Sequence, residues 1–438
     1  MESRKKTSKG PTTVYSLGHD TLCMIFSLLD LFDLVRSTLV CKSWYLFSSS
    51  SSNPKRVAFY RNTVINGSKL LHIWYYKHQL RSTGLSNMPT ISGELLKIHP
   101  EEQALEYHRL GLQEGAIHID QWKGHSIGVD HCSMKMGLIL TGGGDKVIRL
   151  WSSESYKVLE EHLVPDRSRV IDFDFDECKI VGLIGTQLCI WRRQGRRSIF
   201  PSSEGTFAKG LCMRYADPEA VVGCEDGAAR VFDMYNQKCS QIIRMHAGPL
   251  TCLCLTDSQM IISGSSAGRI TISGLSGDGP LATMRAAPSL TGIRTLCFNP
   301  RSHLVFAGTN AGHALCWDIR MMRSLWETRV SPNVVFSMQH QRNDVSSLVV
   351  GGIDGILRVM NQDTGEVVSR CIIDGTSSSS LQTHGIVQRK RGRRISEDTQ
   401  LDQIPKSARP PITCLAVGMK KVVTTHNGKN IRLWRFSF

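Results

Sequence analysis

The sequence predicts a small all-α module at the N-terminus, followed by a large all-β domain built from repeated four-stranded units. Two observations carry this prediction. Apolar residues recur at helical spacing within the first fifty residues. From about residue 122, short β-branched runs alternate with glycine-rich turns at a period of roughly 40–45 residues. At 438 residues, the chain has room for two or three domains.

Segment 14–60 carries the helical pattern. The first helix is predicted from four apolar residues that share one face: Leu22, Ile25, Phe26 and Leu29. Asp20 falls in its first turn, where a negative charge suits the helix dipole. Asp33 is a candidate N-cap for a second helix through Leu34 to Val40, and Trp44 lies on a third apolar face. Such short helices bury little surface alone, so we expect a partner or a neighbouring domain to cover them.

This segment resembles the F-box, the adaptor-docking module of Skp–cullin–F-box ubiquitin ligases. The closing run Val40-Cys41-Lys42-Ser43-Trp44 adds to the resemblance, whereas Gly18 stands where the family usually has a proline that pre-sets the backbone. The resemblance implies a Skp-type adaptor and cullin complex as partner. The implied adaptor-binding residues are Leu17, Leu22, Ile25, Phe26, Leu29, Leu34, Val40, Cys41 and Trp44. An ordinary helical hairpin packed on the next domain is the alternative.

The repeats that follow are anchored by the residue that closes each third strand. The anchors, at positions 151, 191, 232, 273, 317, 360 and 434, are 40, 41, 41, 44, 43 and 74 residues apart. A period near 40–45 residues is typical of propeller blades with four strands each. Residues 124–434 therefore resemble the WD-repeat family with seven blades, and we expect the all-β propeller to span 115–438.

The first blade shows what the resemblance implies for individual residues. In the family, side chains such as His125, Thr141, Asp145 and Trp151 form a buried hydrogen-bond chain that fixes the blade, because buried polar groups must find partners. His125 and Asp145 are therefore predicted to be structural rather than a catalytic pair. The corresponding aromatic residues in other blades are Trp191, Phe232, Trp317 and Trp434.

The ends of the repeat region suggest how the ring closes. Only Arg435–Phe438 follows the last anchor, so the seventh blade lacks an outer strand. The segment 115–122 alternates apolar and polar residues and is predicted to supply it, which would remove two open sheet edges. Upstream, we expect a basic disordered tail over 1–13 and a helical connector over 61–114, with helices at Ser68–Leu80 and Pro100–Leu112.

A basic insertion separates the last two repeats. Residues 374–410 combine a Ser/Thr run, a basic cluster and a polar stretch, and they are predicted to be disordered. The cluster suits a nuclear import signal or an acidic partner, and Ser396 resembles a basophilic kinase site. The residues with this predicted localisation or regulatory role are Arg389, Lys390, Arg391, Arg393, Arg394 and Ser396. A solvated loop without function is the alternative.

Composition limits the compartment and the partners. The net charge is +15, which suits an acidic or phosphorylated protein segment or a nucleic acid. Aromatic and basic residues are not interleaved as in base-stacking proteins, so nucleic acid is not favoured. The fourteen cysteines show no repeated spacing, which favours reduced thiols in the cytoplasm, the nucleus or both. We expect no membrane partner, since no run of eighteen apolar residues occurs.

These features predict a substrate-recognition subunit of a Skp–cullin–F-box ubiquitin ligase, whose propeller holds an unknown target protein. The ligase chemistry would occur on other subunits, so no catalytic residue, cofactor or metal is expected in this chain. One alternative is a receptor for a different cullin ligase, because Trp317-Asp318-Ile319-Arg320 resembles the Trp-Asp-x-Arg motif of such receptors. A general WD-repeat scaffold and an RNA-associated propeller are further alternatives.

Overall fold

The computed structural model describes residues 100–164, 169–193, 197–199, 208–256, 259–275, 279–285, 291–374 and 387–437. The chain divides into two compact units, Met1–Glu106 and Tyr107–Phe438. The predictions for segments 1–13 and 14–60, and for the helix Ser68–Leu80, fall outside the described residues. Among the residues that are described, no helix is both long and apolar enough to cross a membrane.

Helix α1 (Pro100–Glu114) precedes the first strand and extends two residues past the predicted end at Leu112. A proline is well placed at its start, where the backbone N–H needs no intrahelical partner. The N–H of Gly115 ends the helix by donating to the carbonyl oxygen of Gly111 at 3.0 Å. A Cβ at Gly115 would lie 2.7 Å from the carbonyl oxygens of Gly111 and Ser437, so only glycine fits at this position.

Five blades are separate antiparallel sheets of four strands that are consecutive in sequence. Blade 1 comprises β2 (Val129–Lys135), β3 (Leu138–Gly143), β4 (Val147–Ser152) and β5 (Val158–Leu163). Blade 2 comprises β6 (Val170–Phe175), β7 (Lys179–Ile184), β8 (Gln187–Arg192) and β9 (Arg197–Ile199). Blade 3 comprises β10 (Gly210–Ala216), β11 (Glu219–Cys224), β12 (Ala228–Asp233) and β13 (Lys238–Arg244). Blade 4 comprises β14 (Leu250–Leu255), β15 (Met260–Ser265), β16 (Arg269–Gly274) and β17 (Pro280–Arg285), and blade 5 comprises β18 (Ile293–Asn299), β19 (Leu304–Thr309), β20 (His313–Asp318) and β21 (Arg323–Arg329).

Blades 6 and 7 belong to one nine-stranded sheet. Blade 6 comprises β22 (Val335–Gln339), β23 (Ser347–Gly352), β24 (Leu357–Asn361) and β25 (Val367–Ile373). Blade 7 comprises β27 (Cys414–Gly418), β28 (Lys421–Thr425), β29 (Asn430–Ser437) and, as its outer strand, β1 (Ala116–Lys123). Within the described residues, the innermost strands of the seven blades contact one another in a closed ring, with β27 between β22 and β2. The domain is therefore a seven-bladed propeller.

The outer strand of blade 7 comes from the beginning of the propeller. β1 runs antiparallel to β29, with Ile119 opposite Trp434. Ile119 and Trp434 are almost completely buried in a cluster that also contains Leu357 and Val359 of blade 6. This is the closure that the alternating pattern of 115–122 predicts.

The prediction that residues 374–410 are disordered is wrong for 387–410. Residues 387–394 form β26 (Val387–Arg394), which pairs with β1 and, at its C-terminal end, with β25. A short 3₁₀ helix (Leu401–Gln403) follows, and Ile395, Ile404 and Ala408 are buried beside Ile356 and Ile372. A strand forms without a hydrophobic run because β25 and β1 both offer open edges whose backbone groups β26 satisfies.

Side chains of the inner strands connect each blade to the next. At each junction between neighbouring blades, at least one hydrogen bond uses a side-chain atom. In ring order from the blade 7–blade 1 junction, they are Cys414 Sγ to Cys132 O (3.4 Å), Lys135 Nζ to Asp174 Oδ1 (2.5 Å), Met213 N to Asp172 Oδ2 (2.9 Å), Cys212 Sγ to Leu250 O (3.6 Å), Cys254 Sγ to Leu296 O (3.2 Å), His340 Nε2 to Phe298 O (3.1 Å) and Leu415 N to Ser337 Oγ (3.1 Å). The described cysteines are free thiols, and burial raises the pKa of Cys212 and Cys254, which keeps both as protonated donors.

Candidate functional site: arginines and a basic strand around blade 7

The polar chain in blade 1 uses all four residues that the sequence singles out. His125 Nδ1 lies 2.8 Å from Asp145 Oδ1, and His125 Nε2 lies 2.8 Å from Thr141 Oγ1. Trp151 Nε1 donates to the same Thr141 hydroxyl at 2.8 Å. Burial lowers the pKa of His125, so the imidazole is neutral near pH 7. These groups satisfy one another inside the blade, and the contacts fit the predicted structural role.

Asp145 also receives bonds from the backbone N–H of Ser126 and from Arg149. Burial alone would raise the pKa of this carboxyl group. The hydrogen bonds from His125, Arg149 and Ser126 outweigh burial and hold it well below its usual range. Asp145 is therefore a carboxylate at all but strongly acidic pH, and it anchors the turn between β3 and β4.

Blade 7 has a similar hydrogen-bonded chain, but its histidine comes from a different position in the repeat. Trp434 Nε1 donates to Thr424 Oγ1 at 2.9 Å, and that hydroxyl lies 2.8 Å from His426 Nε2. His426 comes from the turn after β28, whereas His125 precedes the inner strand of its blade. His426 was not predicted from the sequence, because the repeat pattern places the histidine before the inner strand. The signal is the spacing Thr424-x-His426 ahead of Trp434.

The remaining predicted anchor residues lie on third strands. Trp191, Phe232 and Trp317 are all at most 4% exposed, as core residues of blades 2, 3 and 5 are expected to be. Beyond Trp317, Asp318 accepts hydrogen bonds from Arg320, whose side chain is 62% exposed on the turn after β20. Arg320 is thus accessible at the surface of blade 5.

An arginine two positions before the anchor recurs in several blades. In three of them it pairs with an aspartate four residues earlier: Arg149 with Asp145 at 2.9 Å, Arg230 with Asp226 at 2.7 Å, and Arg358 with Asp354 at 2.5 Å. Each pair links the turn between the second and third strands to the third strand itself. The arginine of blade 7 at this position is Arg432.

β26 presents its basic residues on two faces. Arg389, Arg391 and Arg393 occupy alternate positions and are exposed. Lys390 and Arg394, on the opposite face, are partly buried. Lys390 Nζ donates to Gln121 Oε1 at 3.3 Å, and Arg394 donates to carbonyl oxygens at the C-terminus of α1.

The exposed face of β26 continues across blade 7. Arg391 lies opposite His118 of β1, which lies opposite Arg435 of β29, so these side chains share one face of the sheet. Asp120, only 1% exposed, lies 2.6 Å from Arg435 and 3.7 Å from Arg389, and it accepts a hydrogen bond from Tyr156 of blade 1 at 2.8 Å.

A cavity lies where β1 and β26 separate, lined by Ala116, Ile117, His118, Arg391, Gly392 and Arg394. Three of the six lining residues are arginine or histidine, and the surroundings favour negatively charged groups. The predicted localisation residues thus lie in an ordered strand, paired on both sides, and not in a loop. Ser396 follows the strand, is exposed and shares a hydrogen bond with Thr399 at 2.9 Å. The regulatory role of these residues stays a prediction.

A buried histidine lies where α1 meets the propeller. His108 is completely buried, and the N–H of Lys420 donates to its Nδ1 at 2.9 Å. Arg109 Nε donates to Asp344 at 2.9 Å, and Asp344 also accepts from the N–H of Ser346 at 3.0 Å. Burial lowers the pKa of His108 to about 4, although Asp344 acts in the opposite direction.

The described residues contain no group of three or more His, Cys, Asp or Glu side chains placed to hold a metal ion. An F-box-like family model matches residues 16–59. An F-box/WD-40 repeat-containing protein of Arabidopsis thaliana is 49% identical over 459 aligned residues, which cover 99% of this chain and 97% of that protein. Together with the seven-bladed fold, this similarity shows that the chain belongs to the F-box/WD-repeat proteins.

Proposed function

We propose that the protein is the substrate-recognition subunit of a Skp–cullin–F-box type ubiquitin ligase. The observation that carries this proposal is the F-box-like match at residues 16–59 in the same chain as a propeller. F-box modules dock Skp-type adaptors, and a propeller offers a rigid surface for a second protein. The chain would bring its target to the ligase by raising the local concentration, without chemistry of its own.

The exposed charges of the propeller favour a target that presents negative charge. Arg389, Arg391 and Arg393 stand on one exposed face of β26, and His118 extends that face onto β1. Residues two apart on a strand are about 6.6 Å apart, which matches the spacing of alternate side chains in an extended peptide. An acidic or phosphorylated segment of the target therefore complements this surface. The free buried thiols suit a complex that acts in the cytoplasm or the nucleus.

Affinity capture of the full-length chain tests adaptor docking. We expect the wild type to retain a Skp-type adaptor and its cullin, and the double variant Ile25→Asp/Leu29→Asp to lose both, because two charges would enter the apolar stripe. Ile242→Asp is the matched control, since Ile242 is 62% exposed on the outer strand of blade 3. If the wild type captures no adaptor, or the double variant keeps it, the proposal is wrong.

A second candidate is docking to a different cullin ligase through Trp317-Asp318-Ile319-Arg320. The 62% exposure of the Arg320 side chain favours it, because that guanidinium is open to a partner. In the same capture experiment, Arg320→Ala would then remove a different cullin complex and leave the Skp-type adaptor unaffected. Arg301→Ala, another exposed arginine on blade 5, is the control.

A further inference from the structure

Arg432 differs from the other arginines at its position in the repeat. In blade 1, Arg149 pairs with two carboxylates, Asp145 and Glu161, both at 2.9 Å. Arg230 and Arg358 each keep the aspartate of the preceding turn. Arg432 forms no ion pair with any described residue. The comparison between blades thus identifies one arginine without its usual counter-charge.

The strand registers show which residues replace the two carboxylates. Arg149 lies opposite Glu161 in blade 1, and Arg432 lies opposite Gln121 in blade 7. In blade 1, the turn between the second and third strands lies between the paired residues Gly142 and Ile148. In blade 7, the corresponding turn lies between the paired residues Thr425 and Ile431. Both turns have the same length, so the position of Asp145 corresponds to Gly428. A neutral amide and a glycine therefore stand where blade 1 has two negative charges.

The guanidinium of Arg432 is nevertheless buried. The residue is 9% exposed, and its Nε donates to Gln121 Oε1 at 2.8 Å. Its Nη1 is buried and has no hydrogen-bond partner in the structure. A buried donor without an acceptor, on a charged group, is costly unless a ligand satisfies it.

β26 places a second cationic side chain, that of Lys390, beside Arg432 and Gln121. Lys390 Nζ donates to Gln121 Oε1, the oxygen that Arg432 already uses, and Gln121 Nε2 donates to Gln388 at 3.3 Å. Burial lowers the pKa of Arg432 to about 10, and burial together with the charge of Arg432 lowers the pKa of Lys390. At that pKa, Arg432 stays charged at neutral pH. Two cations thus share one neutral acceptor.

The turn beside Arg432 is open at Gly428, and the described residues around it add no negative charge. A Cβ at Gly428 would meet only the carbonyl oxygen of His426, at 3.9 Å. Burial and the nearby Arg432 lower the pKa of His426 to about 3, so this imidazole is neutral at physiological pH. The nearest carboxylate of β1, Asp120, lies on the opposite face of the strand and is engaged by Arg435 and Tyr156.

We propose that Arg432 and Lys390, with the side-chain amides of Gln121 and Gln388, form a binding site for an oxyanion, either a carboxylate or a phosphate group. The anion would accept from Arg432 Nη1 and Lys390 Nζ, and it would take the place of the carboxylates that accompany Arg149. None of these four residues belongs to segment 16–59, and the proposal does not depend on adaptor docking.

Calorimetric titration of the full-length chain with inorganic phosphate and with acetate, at constant ionic strength, tests the site. We expect one saturable site for at least one of the two anions in the wild type. Gln121→Glu supplies an internal carboxylate at the position of Glu161 and should weaken that binding at least about tenfold, because the new side chain neutralises both cations. It should also make the protein more resistant to urea. Arg432→Gln should weaken anion binding to a similar extent.

Arg285→Gln is the matched control, because Arg285 is exposed on the outer strand of blade 4, and its anion affinity should equal that of the wild type. Binding of acetate as well as phosphate assigns the site to carboxylates in general, and binding of phosphate alone assigns it to phosphate groups. The absence of saturable binding in the wild type, or unchanged affinity in Gln121→Glu, overturns the proposal. Gln121→Glu adds a favourable ion pair with the two cations, so this variant tests the proposal even if Arg432→Gln does not fold.

Discussion

Arg394 Nη1 donates to the carbonyl oxygen of Gly115 at 2.6 Å and thereby joins β26 to the end of α1. The other guanidinium nitrogens donate to Leu112 at 3.1 Å and to the hydroxyl of Ser369 on β25 at 3.0 Å. One side chain therefore connects the helix, the inserted strand and blade 6. It satisfies helix carbonyls that would otherwise lack partners.

Replacing Arg394 by alanine removes these bonds and leaves buried carbonyl oxygens unsatisfied. We expect the free energy of unfolding to fall by about 2–3 kcal/mol, measured by urea denaturation. Arg393→Ala, an exposed position on the other face of β26, should change it by less than about 0.5 kcal/mol. Equal effects of the two substitutions would show that Arg394 does not act through its bonds to the helix.

The buried His108 predicts a loss of stability at acidic pH. Its pKa is about 4 in the folded protein, against 6.5 for an ordinary histidine, so the unfolded chain binds more protons below pH 6.5. Its contribution to stability is present above about pH 6.5 and is lost as pH falls toward 4. Between pH 7 and 5, we expect this group to cost about 2 kcal/mol of unfolding free energy.

Urea titrations of His108→Gln at pH 7 and 5 measure this effect. The variant should lose less stability than the wild type over this interval, because glutamine accepts the bond from Lys420 without titrating. His303→Gln, which changes an exposed histidine, should keep the dependence of the wild type. Parallel curves for His108→Gln and wild type would contradict the prediction.

Asp120 is a buried carboxylate that serves two arginines and a tyrosine. Asp120→Asn keeps the shape of the side chain but leaves Arg435 and Arg389 without a counter-charge, and we expect it to cost about 3 kcal/mol in thermal or urea unfolding. The control is Asp130→Asn, because the partner of Asp130, Arg169, is 72% exposed, and such pairs contribute at most about 1 kcal/mol. A small effect of Asp120→Asn would show that solvent compensates for the lost charge.

Removal of residues 116–123 should prevent the propeller from folding. Without β1, β26 loses its pairing over residues 387–391 and β29 keeps only β28 as a partner, so two sheet edges become exposed. We expect aggregation, measured by size-exclusion chromatography and calorimetry. A soluble truncated chain with one sharp melting transition would contradict this role of β1.

Sequence patterns predicted most of the propeller, for identifiable reasons. The spacing of Trp151, Trp191, Phe232, Trp317 and Trp434 reflects one large buried aromatic residue in each of five blades, which packing of the blade core favours. The alternation of 115–122 likewise reflects a strand with one buried face, with Ile117 and Ile119 inside. Such patterns depend on burial and can be recognised in the sequence.

β26 could not be predicted in this way. Its residues are basic on both faces, so no hydrophobic pattern marks it. Its stability derives from the edge of β25 and from the edge of β1, which lies far away in sequence. The histidine of blade 7 was missed because a side chain from a different turn reaches the same hydroxyl. Both features depend on three-dimensional neighbours rather than on local periodicity.

The pairing of β1 with β29 has a consequence for the order in which the chain is made. Ala116 and Ser437, joined by a hydrogen bond, are 321 residues apart, so the first strand of the propeller leaves the ribosome long before its partner. Until β29 has been synthesised, the apolar side of β1 has no blade 7 to pack in. The ring therefore cannot close before β29 has been synthesised, and until then the open edges of β1 can associate with other chains.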